Sequence, residues 1–269
     1  MIKRFRSYLA PRTAAKAPPS IPAGQRVYAI GDIHGRLDLF ERLIESIEAD
    51  DAARGAAETT VILLGDLIDR GPASAGVIDA AREWARRRRV RMLAGNHEEM
   101  FLESFFRRET LRHFLRYGGK ETILSYPIDP VVYQRLSLEA LQALLPEIVP
   151  AGHIALLEAM EDHIVIGDYV FVHAGIRPGV PLEQQKLSDL RWIREMFTDH
   201  LGDHGMIVVH GHTISDEVEE RPNRIGIDTG AFMSGRLTAV GLEGGARWYL
   251  TARDPALAAE HQTSGRSAA

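Results

Sequence analysis

Residues 26–35 read Arg-Val-Tyr-Ala-Ile-Gly-Asp-Ile-His-Gly: an apolar run that ends in glycine, followed at once by a carboxylate. Arg26–Ile30 has the length and side chains of a buried strand, and a glycine just past a strand permits a sharp turn and close backbone approach. The arrangement returns along the chain. Thr60–Leu64 leads into Gly65-Asp66, Val90–Ala94 into Gly95-Asn96, and Met206–Val209 into His210-Gly211-His212. A fifth run, Tyr169–Val172, ends at His173, and Arg236–Leu242 and Arg247–Thr251 read as further strands. Between the first three runs apolar residues recur at helical spacing: Leu39, Phe40, Leu43, Ile44 and Ile47, then Val77, Ile78, Ala81 and Trp84. A β-α-β-α-β opening predicts parallel neighbours joined by right-handed crossovers. Sites in α/β sheets form where strand C-termini meet, so these tips would gather two carboxylates, an amide and imidazoles in one place.

From Glu98 to about Asp162 helical periodicity dominates, broken by Gly118-Gly119, Pro127, Pro130, Pro146 and Pro150. Residues 99–163 are therefore expected to form a helical insertion within a single domain spanning 25–251. Residues 1–24 and 252–269 are expected to be loose tails: the first is basic with Pro18-Pro19, the second rich in Ala, Ser and Thr.

The bulk numbers narrow the chemistry. A chain of 269 residues with 45% hydrophobic side chains suits one large globular core. A net charge of −5 does not suggest a general nucleic-acid or membrane-surface binder. No apolar run reaches the ~20 residues of a membrane helix, and the N-terminus lacks a secretory apolar region, so a cytoplasmic setting is expected. With no cysteine, thiolate catalysis is excluded and any metal site must use oxygen and nitrogen ligands.

Asp32 and His34 are one residue apart, and in an extended segment alternate side chains share a face, so both could hold one ion. Asp-x-His alone is weak evidence. The ordered set Gly31-Asp-Ile-His-Gly35, Gly65-Asp-Leu-Ile-Asp-Arg-Gly71, Gly95-Asn-His-Glu98, Val172-His-Ala-Gly175 and Gly211-His-Thr213 is far more specific. It resembles the phosphoprotein phosphatase branch of the calcineurin-like metallophosphoesterases, and Trp192-Ile193-Arg194-Glu195 resembles their bacterial and phage-type members. The resemblance implies an α+β, four-layer α/β/β/α sandwich with a helical insertion. It also implies two divalent metal ions, one held by Asp32, His34 and Asp66, the other by Asp66, Asn96, His173 and His212, with Asp66 bridging. Within Val209-His210-Gly211-His212-Thr213 the glycine-then-ligand pattern favours His212, which leaves His210 behind the ligands.

Two divalent ions against two carboxylates and one hydroxide leave such a site at about +1, which suits a phosphate ester dianion. Imidazole and carboxylate ligands fit Mn, Fe, Zn, Co or Ni better than Mg or Ca, and Mn is favoured. His97, beside Asn96 and oriented by Asp69, is expected to protonate the leaving oxygen. Arg70 and Arg194 are expected to bind substrate oxygens, together with Asn96. Gly118-Gly119-Lys120-Glu121-Thr122 resembles a segment of bacterial relatives; whether it touches substrate or only turns the chain stays open. Asp228-Thr229-Gly230 follows a strand and is expected behind the metals or in a turn. Hydrolysis in one step by a metal-bound hydroxide is the expected reaction. The leading substrate is a phosphoprotein, cleaved by a serine/threonine-type protein phosphatase that also accepts small aryl phosphates. Hydrolysis of dinucleoside polyphosphates is the rival reading, and a non-catalytic binding module is the alternative of another class.

Overall fold

The computed structural model describes residues 18–257. The sheet that begins the chain contains β1 (Gln25–Ile30), β2 (Glu58–Leu63), β3 (Val90–Met92), β9 (Arg236–Glu243) and β10 (Ala246–Arg253). Its order is β10-β9-β1-β2-β3, with β1, β2 and β3 parallel. The second sheet is built from β4 (His163–Ile166), β5 (Tyr169–Val172), β6 (Ile207–His210), β7 (Glu219–Arg221) and β8 (Arg224–Gly226), in the order β4-β5-β6-β8-β7, with β5, β6 and β8 parallel.

Period-two side-chain alternation makes the layers. Tyr28, Ile30, Val61 and Leu63 face the helices α1 (Leu37–Ala53) and α2 (Ser74–Arg87). Val27, Ala29, Ile62 and Leu64 point the other way, onto Phe171, Val209 and Ile225 of the second sheet. The outer face of that second sheet, Val170, Val172 and Val208, packs on Leu190 and Phe197 from the short helices α9 (Leu187–Trp192) and α10 (Glu195–Thr198). The order of layers is helix, sheet, sheet, helix, the sandwich that the resemblance implies. Both faces of each sheet are buried, so the central strands are near-continuous apolar runs.

The segment between the two sheets carries α3 (Asn96–Ser104), α4 (Arg108–Phe114), α5 (Lys120–Leu124), α6 (Pro130–Arg135), α7 (Leu138–Ile148) and α8 (Ala151–Glu158). It packs on the first core through Phe101, Phe114, Ile123, Leu141 and Leu145. Among the described residues no single helix is long and apolar enough to cross a membrane; α7 and α8 pass that test only as a pair bent by 93°.

The bounds 25 and 251 drawn from sequence are too tight. Ile21 is buried and its amide donates to the Gly244 carbonyl, while β10 runs to Arg253 and Asp254 accepts from Arg36. The chain edges there are held by the sheet they flank. The remainder of the two expected tails, residues 1–17 and 258–269, lies outside the described residues.

Trp84, the largest fully buried side chain, packs edge-on against Phe40 and donates to Glu48 at 2.7 Å. Trp84→Ala is expected to lower stability by about 3–5 kcal/mol, read as a lower urea midpoint at unchanged slope.

Candidate metal centre

The parallel strands of both sheets point their C-terminal ends at one gap. β1 delivers Asp32 and His34, β2 delivers Asp66, and β3 delivers Asn96 at the start of α3. From the second sheet, β5 delivers His173, β6 delivers His212 and β8 delivers Asp228. The loops lace together. The amides of Ile33 and His34 donate to the Asp66 carbonyl, and the Gly211 amide donates to the His173 carbonyl. Gly211 is required by close approach: a Cβ there would collide with the Asp32 carboxylate.

All the candidate ligands are buried, and contacts link them into one cluster. His173 Nε2 lies 3.0 Å from Asn96 Oδ1, 3.2 Å from His212 Nδ1 and 3.4 Å from Asp66 Oδ1. His34 Nε2 lies 3.6 Å from Asp66 Oδ2. Asp32 reaches the cluster differently: its carboxylate accepts the His212 backbone N–H at 3.0 Å. Among the described residues two groups could hold metal ions, His34–Asp66–His97 and Asp66–His173–His212, and Asp66 belongs to both. His210 lies outside both: its ring packs against Phe197 and its Nδ1–H donates to the Gly211 carbonyl.

The ligand chemistry fits cations. The Nδ1–H groups of His34 and His173 donate to the carbonyls of Ile68 and Leu64, both at 2.8 Å, which fixes the tautomer and leaves each Nε2 lone pair facing the gap. Burial lowers His34 to about 3 and depresses His173 and His212 too, so all three are neutral bases at pH 7. His212 Nε2 and Asp228 Oδ2 are buried without a hydrogen-bond partner. Buried polar atoms without a partner are rare in proteins, and both belong to residues of this cluster. The carboxylates press for positive charge as well. Burial and the neighbouring Asp228 and Asp66 push Asp32 well above the usual carboxylate range. Burial likewise raises Asp228, to about 6. Burial works the same way on Asp66, but the imidazoles of His173, His97, His34 and His212 outweigh it and hold the group low.

His97 Nδ1 meets Asp69 Oδ2 at 2.5 Å, and its Nε2 stands 3.1 Å from Arg70 Nη2. Burial opposes protonation of His97, yet Asp66 and Asp69 together raise it above the ordinary imidazole value. The Arg70 guanidinium lies over the Phe232 ring, 4.6 Å from its centroid. Phe232 also meets His34 edge-on. Arg194 is exposed at the mouth, and its guanidinium donates to the His212 carbonyl at 3.3 Å.

Strain is concentrated at this place. Among the described residues the non-glycine positions with positive φ are His34, Asp66, Asp69, Arg70 and His212, with φ between 46° and 74°. Each such residue costs on the order of 1–3 kcal/mol and persists only where its surroundings over-determine it. Glu98 supplies part of that grip. It is fully buried and accepts from the amides of Asp66 and Gly95 through Oε2 and from Leu67 through Oε1, at 2.8–2.9 Å. Sequence reasoning placed Glu98 in a motif without giving it a task, and it passed over Phe232 altogether. The glutamate in Gly95-Asn-His-Glu98 was the available signal; Phe232 offers none.

The chain is similar to known phosphoesterases along most of its length. A bis(5′-nucleosyl)-tetraphosphatase PrpE [asymmetrical] from Anoxybacillus flavithermus is 26% identical over 78% of this chain and 88% of its own length. Serine/threonine-protein phosphatase 1 from Salmonella typhimurium is 29% identical over 80% and 90%. Among solved structures, a cold-active protein tyrosine phosphatase superposes with a TM-score of 0.55 at 20% identity, covering 86% of this chain and 81% of that one, a likeness of fold. Residues 25–229 match the model of the calcineurin-like phosphoesterases, and the chain is a metal-dependent phosphoesterase belonging to that family.

Proposed function

We propose that the chain hydrolyses phosphate monoesters as a serine/threonine-type protein phosphatase. The observation that carries the chemistry is the buried Asp69–His97 pair, 2.5 Å apart, beside a cluster of neutral imidazoles around Asp66. In this reading Asp32, His34 and Asp66 hold one divalent ion, and Asp66, Asn96, His173 and His212 hold the other, with Mn favoured. When bound, the ions supply Lewis-acid charge and lower the pKa of the attacking water.

The protein's own groups do the rest. Arg70 and Arg194 take the peripheral phosphoryl oxygens, and Asn96 adds a side-chain amide donor. Phe232 backs the Arg70 guanidinium and limits its freedom before substrate arrives. Asp69 holds the His97 ring by Nδ1, which aims Nε2 at the leaving oxygen as the general acid. The contacts that hold the left-handed residues, those of Glu98 among them, keep these groups in place without reorganisation during the reaction.

The Salmonella relative supports the protein phosphatase reading. The PrpE relative supports a second reading, hydrolysis of dinucleoside polyphosphates. Turnover of a phosphoserine peptide and of diadenosine tetraphosphate by the Mn-loaded protein separates the two. The peptide is expected to have the larger kcat/KM by about tenfold or more. The reverse ranking would establish the nucleotide reading. Absence of bound metal together with no turnover of either would leave a binding module.

A further inference from the structure

We infer that Thr122, in the helical insertion, is a positioning residue for the Asp69–His97 pair; the inference rests on the acid role proposed for His97. The Asp69 carboxylate divides its work. Oδ2 meets His97, while Oδ1 accepts the Thr122 hydroxyl proton at 2.5 Å. The Asp69 amide in turn donates to Thr122 Oγ1 at 2.8 Å and approaches Ser74 Oγ at 3.0 Å, and the two hydroxyls are 2.9 Å apart. Asp69, Thr122 and Ser74 are each fully buried, so no water is at hand to replace a lost partner. Without the Thr122 hydroxyl, Oδ1 has no fixed donor, the carboxylate can rotate about χ2, and the His97 ring turns with it.

The insertion is shaped to make this contact. Between α4 and α5 the chain leaves helical geometry at Tyr117 and Gly118, and Gly118 has a φ of 107°. The Gly118 carbonyl accepts the Arg70 amide at 3.1 Å, and a Cβ at Gly118 would meet the Arg70 backbone nitrogen at 2.6 Å. One turn of the insertion thus touches two consecutive residues of the site, Asp69 and Arg70, both in the left-handed region at φ 74° and 67°. The left-handed Gly118 breaks the helical path there, and α5 with Thr122 starts just beyond the kink.

The test compares Thr122→Val, Thr122→Ser, His97→Ala and the double variant Thr122→Val/His97→Ala, all loaded with Mn. Substrates are phenyl phosphate, whose leaving oxygen needs a proton, and p-nitrophenyl phosphate, whose leaving oxygen needs it less. Thr122→Val is expected to lower kcat on phenyl phosphate by about 10- to 100-fold, part of what a general acid contributes. The loss on p-nitrophenyl phosphate should be smaller, KM should stay within about twofold, and metal content should not change. Thr122→Ser should restore most of the rate, and the valine change should add no further loss once His97 is gone. Should the valine protein melt below the assay temperature, Thr122→Ala carries the same expectation, since it removes the hydroxyl and leaves room. Equal losses on both substrates, or full additivity in the double variant, would make Thr122 a structural residue and overturn the inference. Unchanged kcat in Thr122→Val beside an impaired His97→Ala would overturn this inference alone. Full turnover in His97→Ala would bring down the acid reading and the inference with it.

Discussion

Asp66→Asn is expected to deplete both cation positions and lower kcat/KM by about 10³-fold or more. Asp66 is the residue common to both candidate metal groups, with Oδ1 toward His173 and Oδ2 toward His34. An amide in its place removes one negative charge and turns one of the two acceptors into a donor. Whichever way it is flipped, the NH₂ faces an imidazole nitrogen whose lone pair is meant for a cation. The ions are asked for several kcal/mol of transition-state stabilisation, and about 1.4 kcal/mol is a factor of ten in rate, which sets the size of the loss. Metal content by mass spectrometry should fall from two ions per chain toward none. The His97 amide, which donates to Asp66 Oδ1 at 3.1 Å, also loses its charged acceptor, so a small drop in Tm is expected. Two ions retained per chain would rule out a bridging Asp66.

That expectation could be framed from sequence because the elements that matter here are local. Each of β1, β2 and β3 is an apolar run closed by a glycine, and the ligand-type residue comes directly after it. The strand, the turn and the chemistry therefore sit within about ten residues. What the sequence hid is what non-local pairing creates. β7 and β8 have three residues each, and Glu219–Arg221 has no apolar residue at all; these become strands only by pairing, β8 with β6 and β7 with β8. Asp228 follows β8, so its position against Asp32 was legible only as a suspicion. β4, His-Ile-Val-Ile, was not singled out because four residues are too few to establish a period.

Side-chain duties across long separations were hidden further. Thr122 and Asp69 are 53 residues apart, and nothing in either neighbourhood announces the other. Phe232 reads as an ordinary aromatic between Ala231 and Met233, yet it faces both His34 and Arg70. The left-handed backbone at five non-glycine site residues is uncommon even for Asp and His and could not be read from propensity. These are the positions where local preference and global fold disagree, and such disagreement is expected at functional sites. The glycines around them, at Gly31, Gly35, Gly65, Gly71, Gly95 and Gly211, were the visible trace, because a crowded set of loops needs room for backbone against backbone.

His97→Ala is expected to keep both ions and lose about 10²- to 10⁴-fold in kcat, the usual contribution of a general acid. The geometry makes this a sharp test, because His97 also lies in one of the two candidate metal groups, with Nε2 3.8 Å from Asp66 Oδ2. A ligand and an acid make opposite demands on that nitrogen: a ligand offers its lone pair, an acid its proton. His34 and His173 donate Nδ1–H to neutral backbone carbonyls and are driven by burial to the neutral form. His97 instead donates to the Asp69 carboxylate, and the charges of Asp66 and Asp69 raise it despite burial. His97 is thus set apart by its carboxylate partner; its Nε2 accepts from Arg70 at 3.1 Å here, so the acid role requires that nitrogen to take up a proton and turn from Arg70 to the leaving oxygen. In the alanine variant Asp69 loses its partner, and with burial already raising it to about 6 it should take up a proton and stay folded. Metal analysis beside the rate constant then decides: two ions with slow turnover fits the acid, whereas loss of one ion would move His97 into the ligand set and leave the leaving oxygen to be protonated by another group.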